Sequence, residues 1–158
     1  MTRLHRLRQS ALRVMVGLMA LGTQVISNAA IAETTTTSTR TNEQRISMTV
    51  GERRFTVTLA DNETGRAFAA RLPLTLDMPD LNDNEKHVTL SQQLPTAPFR
   101  PGVIRNGDLM LYGSNTLVLF YLTFDSPYSY TRIGRVEDAG DLAQVLGRNS
   151  ARVVFAAQ

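Results

Sequence analysis

The sequence predicts an all-β fold, a closed or nearly closed β-barrel of about eight short strands with two short helices. Three observations carry this expectation. From Ile46 onward, segments that alternate apolar and polar residues are punctuated by turn signals roughly every ten residues. The run from Leu117 to Leu122 is apolar at every position, so both faces of that strand need cover and it belongs in the middle of a sheet. The chain has no cysteine, so its core must be large enough to hold the fold without cross-links, which a domain of this length can supply.

Ahead of the strands lie two segments of different character. Residues 1–32 carry Arg3, Arg6, Arg8 and Arg13 and no acid before a largely apolar run from Val14 to Ile26, followed by Ala30-Ile31-Ala32. That is the pattern of a cleavable secretory signal peptide. A bilayer crossing needs about 20 apolar residues, so no stable membrane anchor is expected after cleavage, and the chain is expected to be exported to the periplasm or beyond. Losing residues 1–32 removes four of the 17 lysines and arginines and none of the 14 acids, leaving 13 bases against 14 acids. The basic pI of 9.8 therefore belongs mostly to the targeting segment, and nucleic acid is not an expected partner. Residues 33–45, rich in threonine, lack apolar periodicity and read as a solvated tether.

The folded domain is placed at residues 46–158. Ile46 to Val50 and Phe55 to Leu59 alternate around Gly51-Glu52 and read as a hairpin. Asp61 or Asn62 is placed to cap a helix that Pro73 ends. Leu74 to Met78 resumes the period of two, Pro79 to Asn84 reads as a loop, and His87 to Leu90 as the next strand. After a proline-rich surface loop, Asn106-Gly107 lies between Val103-Ile104 and Leu109-Met110-Leu111, the signature of a tight hairpin. Asp125-Ser126-Pro127 interrupts the chain after the central strand, which resumes from Tyr128 to Val136. A short helix from Asp141 to Leu146, stopped by Gly147, precedes a last strand from Ala151 to Phe155.

The candidate chemistry gathers where the aromatics do. All four tyrosines lie between Tyr112 and Tyr130. Side chains two apart on a strand share a face, which sets Tyr128, Tyr130 and Arg132 in one row, a combination suited to an anion or a peptide carbonyl; Arg132 stacked on a tyrosine ring is the plainer alternative. Glu85 and His87 share a face in the same way and are suited to acid–base work if a cleft surrounds them. Asp77, Asp80 and Asp83 alternate through a loop, but lack the glycine and glutamate of an EF-hand loop, so no metal site is expected. Neither a serine-nucleophile elbow nor a phosphate-binding glycine loop is present, so no catalytic residue and no cofactor is assigned.

The segments LPLTLDMPDLNDNEKHVTL, GVIRNGDLMLYGSNTLVLFY and SYTRIGRVEDAGDL, in this order and spacing, closely resemble the small bacterial cyclophilin-like family. The resemblance covers about residues 46–156 and implies a cyclophilin-type barrel closed by two helices. True cyclophilins are prolyl isomerases whose arginine follows Phe-His. The nearest string here is Phe99-Arg100, without the histidine, leaving Arg132 or Arg71 as substitutes. The expectation is therefore a non-enzymatic binding module for a small ligand or an extended peptide, with Glu85, Tyr121, Tyr128, Tyr130 and Arg132 at its site. The alternative is a prolyl isomerase or another weak enzyme using Glu85 and His87, or Arg132.

Overall fold

A computed structural model describes residues 43–158. The signal peptide expected at 1–32 and residues 33–42 of the expected tether lie outside the described residues. The first strand, β1 (Arg45–Val50), turns at Gly51, whose φ of 57° suits a residue without a side chain, into β2 (Arg53–Leu59). On β2, Phe55, Val57 and Leu59 are buried while Arg53 and Arg54 are exposed, which is the half-buried alternation the sequence displays.

Helix α1 (Glu63–Ala69) starts where Asn62 Oδ1 accepts a hydrogen bond from Gly65 N at 2.7 Å, satisfying one of the free donors of the first turn. Asn62 Nδ2 also donates to Arg132 O at 2.9 Å, so one side chain caps the helix and ties it to the sheet. Replacing Asn62 by alanine is expected to cost about 1–2 kcal/mol, read as a lower urea midpoint with unchanged slope. A smaller shift, below about 0.5 kcal/mol, would show that neither bond matters. Phe68 on the buried face of α1 meets Phe155 edge-on at a centroid distance of 5.4 Å.

The remaining elements are β3 (Leu74–Met78), β4 (Asp80–Leu81), β5 (Glu85–Thr89), β6 (Gly102–Ile104), β7 (Asp108–Tyr112), β8 (Thr116–Phe120), β9 (Phe124–Ser126) and β10 (Thr131–Val136). A 3-10 turn (Ala139–Asp141) then leads into α2 (Leu142–Leu146), and β11 (Ala151–Ala157) ends the chain. Nine strands form one antiparallel sheet in the order β3-β11-β1-β2-β10-β7-β8-β5-β4. Its two outermost members, β3 and β4, are consecutive in the chain and separated only by Pro79. One bent segment thus pairs with β11 on one side and β5 on the other, and the sheet becomes a nearly closed barrel. Closure removes the exposed edges of an open sheet.

The barrel interior is one apolar cluster that includes Met48, Val57, Leu109, Leu119, Ile133 and Val153. A second, smaller cluster of Ile104, Met110, Val118, Phe120 and Tyr130 lies on the outer face of β7 and β8. It accounts for the unbroken apolar run of β8: Leu117 and Leu119 point inward, Val118 and Phe120 outward, and both sets are covered.

The outer cover corrects one expectation. Asn106-Gly107 does not join a hairpin, because β6 pairs with β9 in a separate two-stranded ribbon. Gly107 has φ 89° and lies so close to Val136 and Ala139 that a Cβ would sit 2.9 Å from Ala139 Cβ. Asp108 Oδ2 accepts from Arg105 N at 2.9 Å, so the turn hands the chain from the ribbon to the main sheet. Local turn chemistry specified the bend, and tertiary packing chose the partners. Two boundaries also differ: Asp125-Ser126 forms part of β9 rather than a break, and β10 begins at Thr131 rather than Tyr128. Pro79 to Asn84, read as loop, includes the short β4, and β5 begins at Glu85.

Candidate functional site

The outer face of β5 and β8, the end of β7 and the loop before β10 enclose a cleft of about 280 Å³. Odd positions of β5 put Glu85 and His87 on this face, since Glu85 lies opposite Phe120 and His87 opposite Val118, both outward-facing residues of β8. Tyr112, at the outer end of β7, Phe124 of β9, and Tyr128 and Tyr130 of the following loop supply aromatic walls. Tyr112 meets Tyr128 edge-on at 6.3 Å and Tyr130 at 5.7 Å with the rings tilted by 54°. Such arrangements are favoured by the ring quadrupoles and hold the walls at defined angles.

Tyr130 is the fixed wall and Tyr128 the free one. Tyr130 exchanges backbone hydrogen bonds with Phe99, at 2.9 and 3.0 Å, and its ring packs edge-on against Phe120 at 5.4 Å. Burial pushes its phenol pKa up, so it stays protonated and available as a donor at neutral pH. Tyr128 and Tyr112 are 59% and 49% exposed, which places them at the rim. Glu85 is nearly buried, and its carboxylate makes no hydrogen bond or ion pair among the described residues. Burial, with repulsion from Asp80 as the second cause, pushes its carboxyl above the ordinary 4.5.

Tyr121 and Arg132 lie elsewhere. Tyr121 continues the inward set of Leu117 and Leu119 and joins the interior cluster. Its hydroxyl donates to Asp80 Oδ1 at 2.6 Å, and burial followed by that bond pushes its pKa up. Beside it the wholly buried Lys86 donates from Nζ to Asp80 Oδ1 at 2.5 Å, Gly147 O at 2.7 Å and Asn149 O at 2.8 Å. The ammonium also lies 5.2 Å from the Tyr121 ring centroid. Burial alone would raise the Asp80 pKa, but the bonds from Lys86 and Tyr121 outweigh it and hold the carboxyl below its usual range. This network clamps β4 and β5 to the loop between α2 and β11.

Arg132 is on the outer face but turned away from the cleft. Its guanidinium carbon sits 5.3 Å from the centroid of Phe99, and Nη1 lies 3.6 Å from Asp108 Oδ1, which Arg135 approaches at the same distance. An exposed stacking contact of this kind is worth about 0.5–1 kcal/mol. Both arginines line a wider, more open depression of about 760 Å³ together with Gly134 and Glu137. That surface is less enclosed than the aromatic cleft, and its cations already face a buried carboxylate. Of the five residues singled out in the sequence, Glu85, Tyr128 and Tyr130 come together; Tyr121 and Arg132 do not join them.

The cleft also holds residues outside that set, among them His87, which the sequence offers only as an acid–base partner, and the aromatics Tyr112 and Phe124. The period-two alternation of β7, with Met110 and Tyr112 on one face, carries the signal for Tyr112. Asp77, Asp80 and Asp83 do not converge: Asp77 faces Arg152 at 2.9 Å, and Asp80 is engaged by Lys86 and Tyr121.

Residues 48–156 match the model of the cyclophilin-like family. The solution structure of a hypothetical protein from Archaeoglobus fulgidus aligns with a TM-score of 0.50 at 19% identity, over 73% of this chain and 95% of that one. At that identity the likeness shows a shared fold alone. Among curated proteins no significant match is found.

Proposed function

The chain belongs to the cyclophilin-like family, and from that premise we propose that it is an exported binding module whose outer cleft receives a small ligand or one side chain of an extended peptide. The observation that carries the reading is the convergence of Tyr112, Phe124, Tyr128 and Tyr130 on a concave site that also holds a nearly buried carboxylate. Binding sites are mostly apolar concavities with a few placed polar groups. Export rests on the basic, then apolar, then small-residue order of residues 1–32.

Screening a fragment library by amide chemical-shift perturbation on the isotope-labelled full chain tests the site. Hits are expected to shift amides of β5, of β8 and of Tyr128 to Tyr130. A Tyr112→Ala/Tyr128→Ala variant, altered at the exposed rim, is expected to bind them about tenfold or more weakly with the fold retained. Hits that cluster over Arg132 and Arg135, or survive in the double variant, would move the site away from this cleft.

A second reading, acid–base catalysis, has one observation in its favour: Glu85 and His87 line the same cleft. No arginine lines that cleft, so a prolyl isomerase working there would lack the cation that polarises the amide. Turnover of proline peptides that disappears in His87→Ala would support the catalytic reading over simple binding.

A further inference from the structure

The formal charge of the cleft is one-sided. Its lining includes Glu85 and the single imidazole of His87 but neither lysine nor arginine. The Glu85 carboxylate receives no donor among the described residues, and Asn84, at the same wall, carries a buried Oδ1 with no hydrogen-bond partner. Native structures rarely leave a buried acceptor such as the Asn84 Oδ1 without a donor, and the Glu85 carboxylate opens onto the cleft. Around them stand four aromatic rings, three of them phenols, whose faces carry the negative part of the ring quadrupole. An anion entering here would meet Glu85 with no arginine or lysine to offset it, whereas a cation would find a carboxylate and aromatic rings together.

We propose that the cleft selects an alkylammonium group, held by the Glu85 carboxylate and boxed by Tyr112, Tyr128 and Tyr130. This rests on the reading of the cleft as the binding site and names the class of its ligand. The volume of about 280 Å³ is slightly below the usual range of about 300–1,000 Å³ for drug-sized ligands, and it suits one chain-terminal group of this kind. The same ammonium is supplied by a free amine or by a lysine side chain of a peptide, and both present it on a four-carbon stem when n-butylammonium stands for the first.

Titration of the full chain with n-butylammonium, n-butanol and butyrate, followed by the same amide shifts, decides between charge types. The ammonium is expected to bind about tenfold tighter than butanol, the margin of one charge-assisted contact, and butyrate is expected not to bind. Glu85→Gln should bring the ammonium down to the level of butanol, and Tyr128→Ala should weaken it several-fold while Tyr128→Phe does not. N-acetyl-lysine methylamide against its norleucine counterpart identifies the source: tighter binding of the lysine compound than of butylammonium points to a peptide, the reverse to a free amine. Equal binding of ammonium and butanol, preference for butyrate, or an undiminished Glu85→Gln response at retained folding overturns the inference while leaving a cleft that binds something else. Absence of every probe and every fragment from the cleft overturns both readings.

Discussion

Replacing Lys86 by methionine is expected to destabilise the protein by about 3–5 kcal/mol, the usual consequence of removing one partner from a buried ion pair. The substitution keeps most of the side-chain volume and deletes only the ammonium. Asp80 then retains Tyr121 and the Asp83 amide, at 3.1 Å, but loses its counter-charge, and the carbonyls of Gly147 and Asn149 lose a donor. Urea unfolding of the variant measures the cost. Adding Asp80→Asn should cost less than the sum of the two single changes, because the uncompensated charge is removed with it.

The same clamp sets a dependence on acid. The folded pKa of Asp80 is held below its ordinary value of 3.8. A depressed carboxyl contributes stability that is present above the unfolded pKa and lost as pH falls through the folded one. The parent protein should therefore lose this contribution below about pH 4, and the difference between parent and Lys86→Met should shrink in that window. A gap below about 1 kcal/mol, constant from neutral pH into acid, would show that the clamp contributes no more than a surface ion pair.

Phe120→Ala is expected to cost about 3–5 kcal/mol, the range for emptying a buried aromatic site, and to damage the cleft with it. Phe120 is fully buried and anchors two cleft walls, meeting Tyr130 at 5.4 Å and Phe124 at 5.7 Å. Without it, Tyr130 loses its edge-to-face partner and β9 loses its hold on the main sheet. Amide exchange is expected to quicken in the β6 and β9 ribbon more than in β1, β2 and β11, which lie on another part of the barrel. Phe120→Leu, which keeps much of the volume, should lose less. Uniform quickening throughout would mean that the ribbon has no local stability of its own.

The mix of what was and was not legible follows from these residues. Leu117 to Phe120 showed in sequence that both faces of β8 are covered, yet nothing local could say that the outer cover is a ribbon built from residues 102–104 and 124–126. Tyr121 stands among clustered aromatic residues in the sequence, but it follows directly after β8 and continues that strand's inward set, so its ring lies in the interior, where Asp80 satisfies the hydroxyl. Nothing local marks Lys86, flanked by Glu85 and His87, as a buried residue. Its burial depends on three oxygen partners drawn from residues 80, 147 and 149.

By itself the sequence determined the all-β class, the hairpin of β1 and β2, the capped helix after it and the family motifs, because these follow from period-two alternation, turn residues and short-range capping. Only the tertiary structure decided which tyrosines share a cavity, that β6 leaves β7 for β9, and that Glu85 faces aromatic walls while its neighbour Lys86 is sealed inside the barrel. Adjacent residues on a strand point to opposite sides, and what each side meets is set by segments far away in the chain.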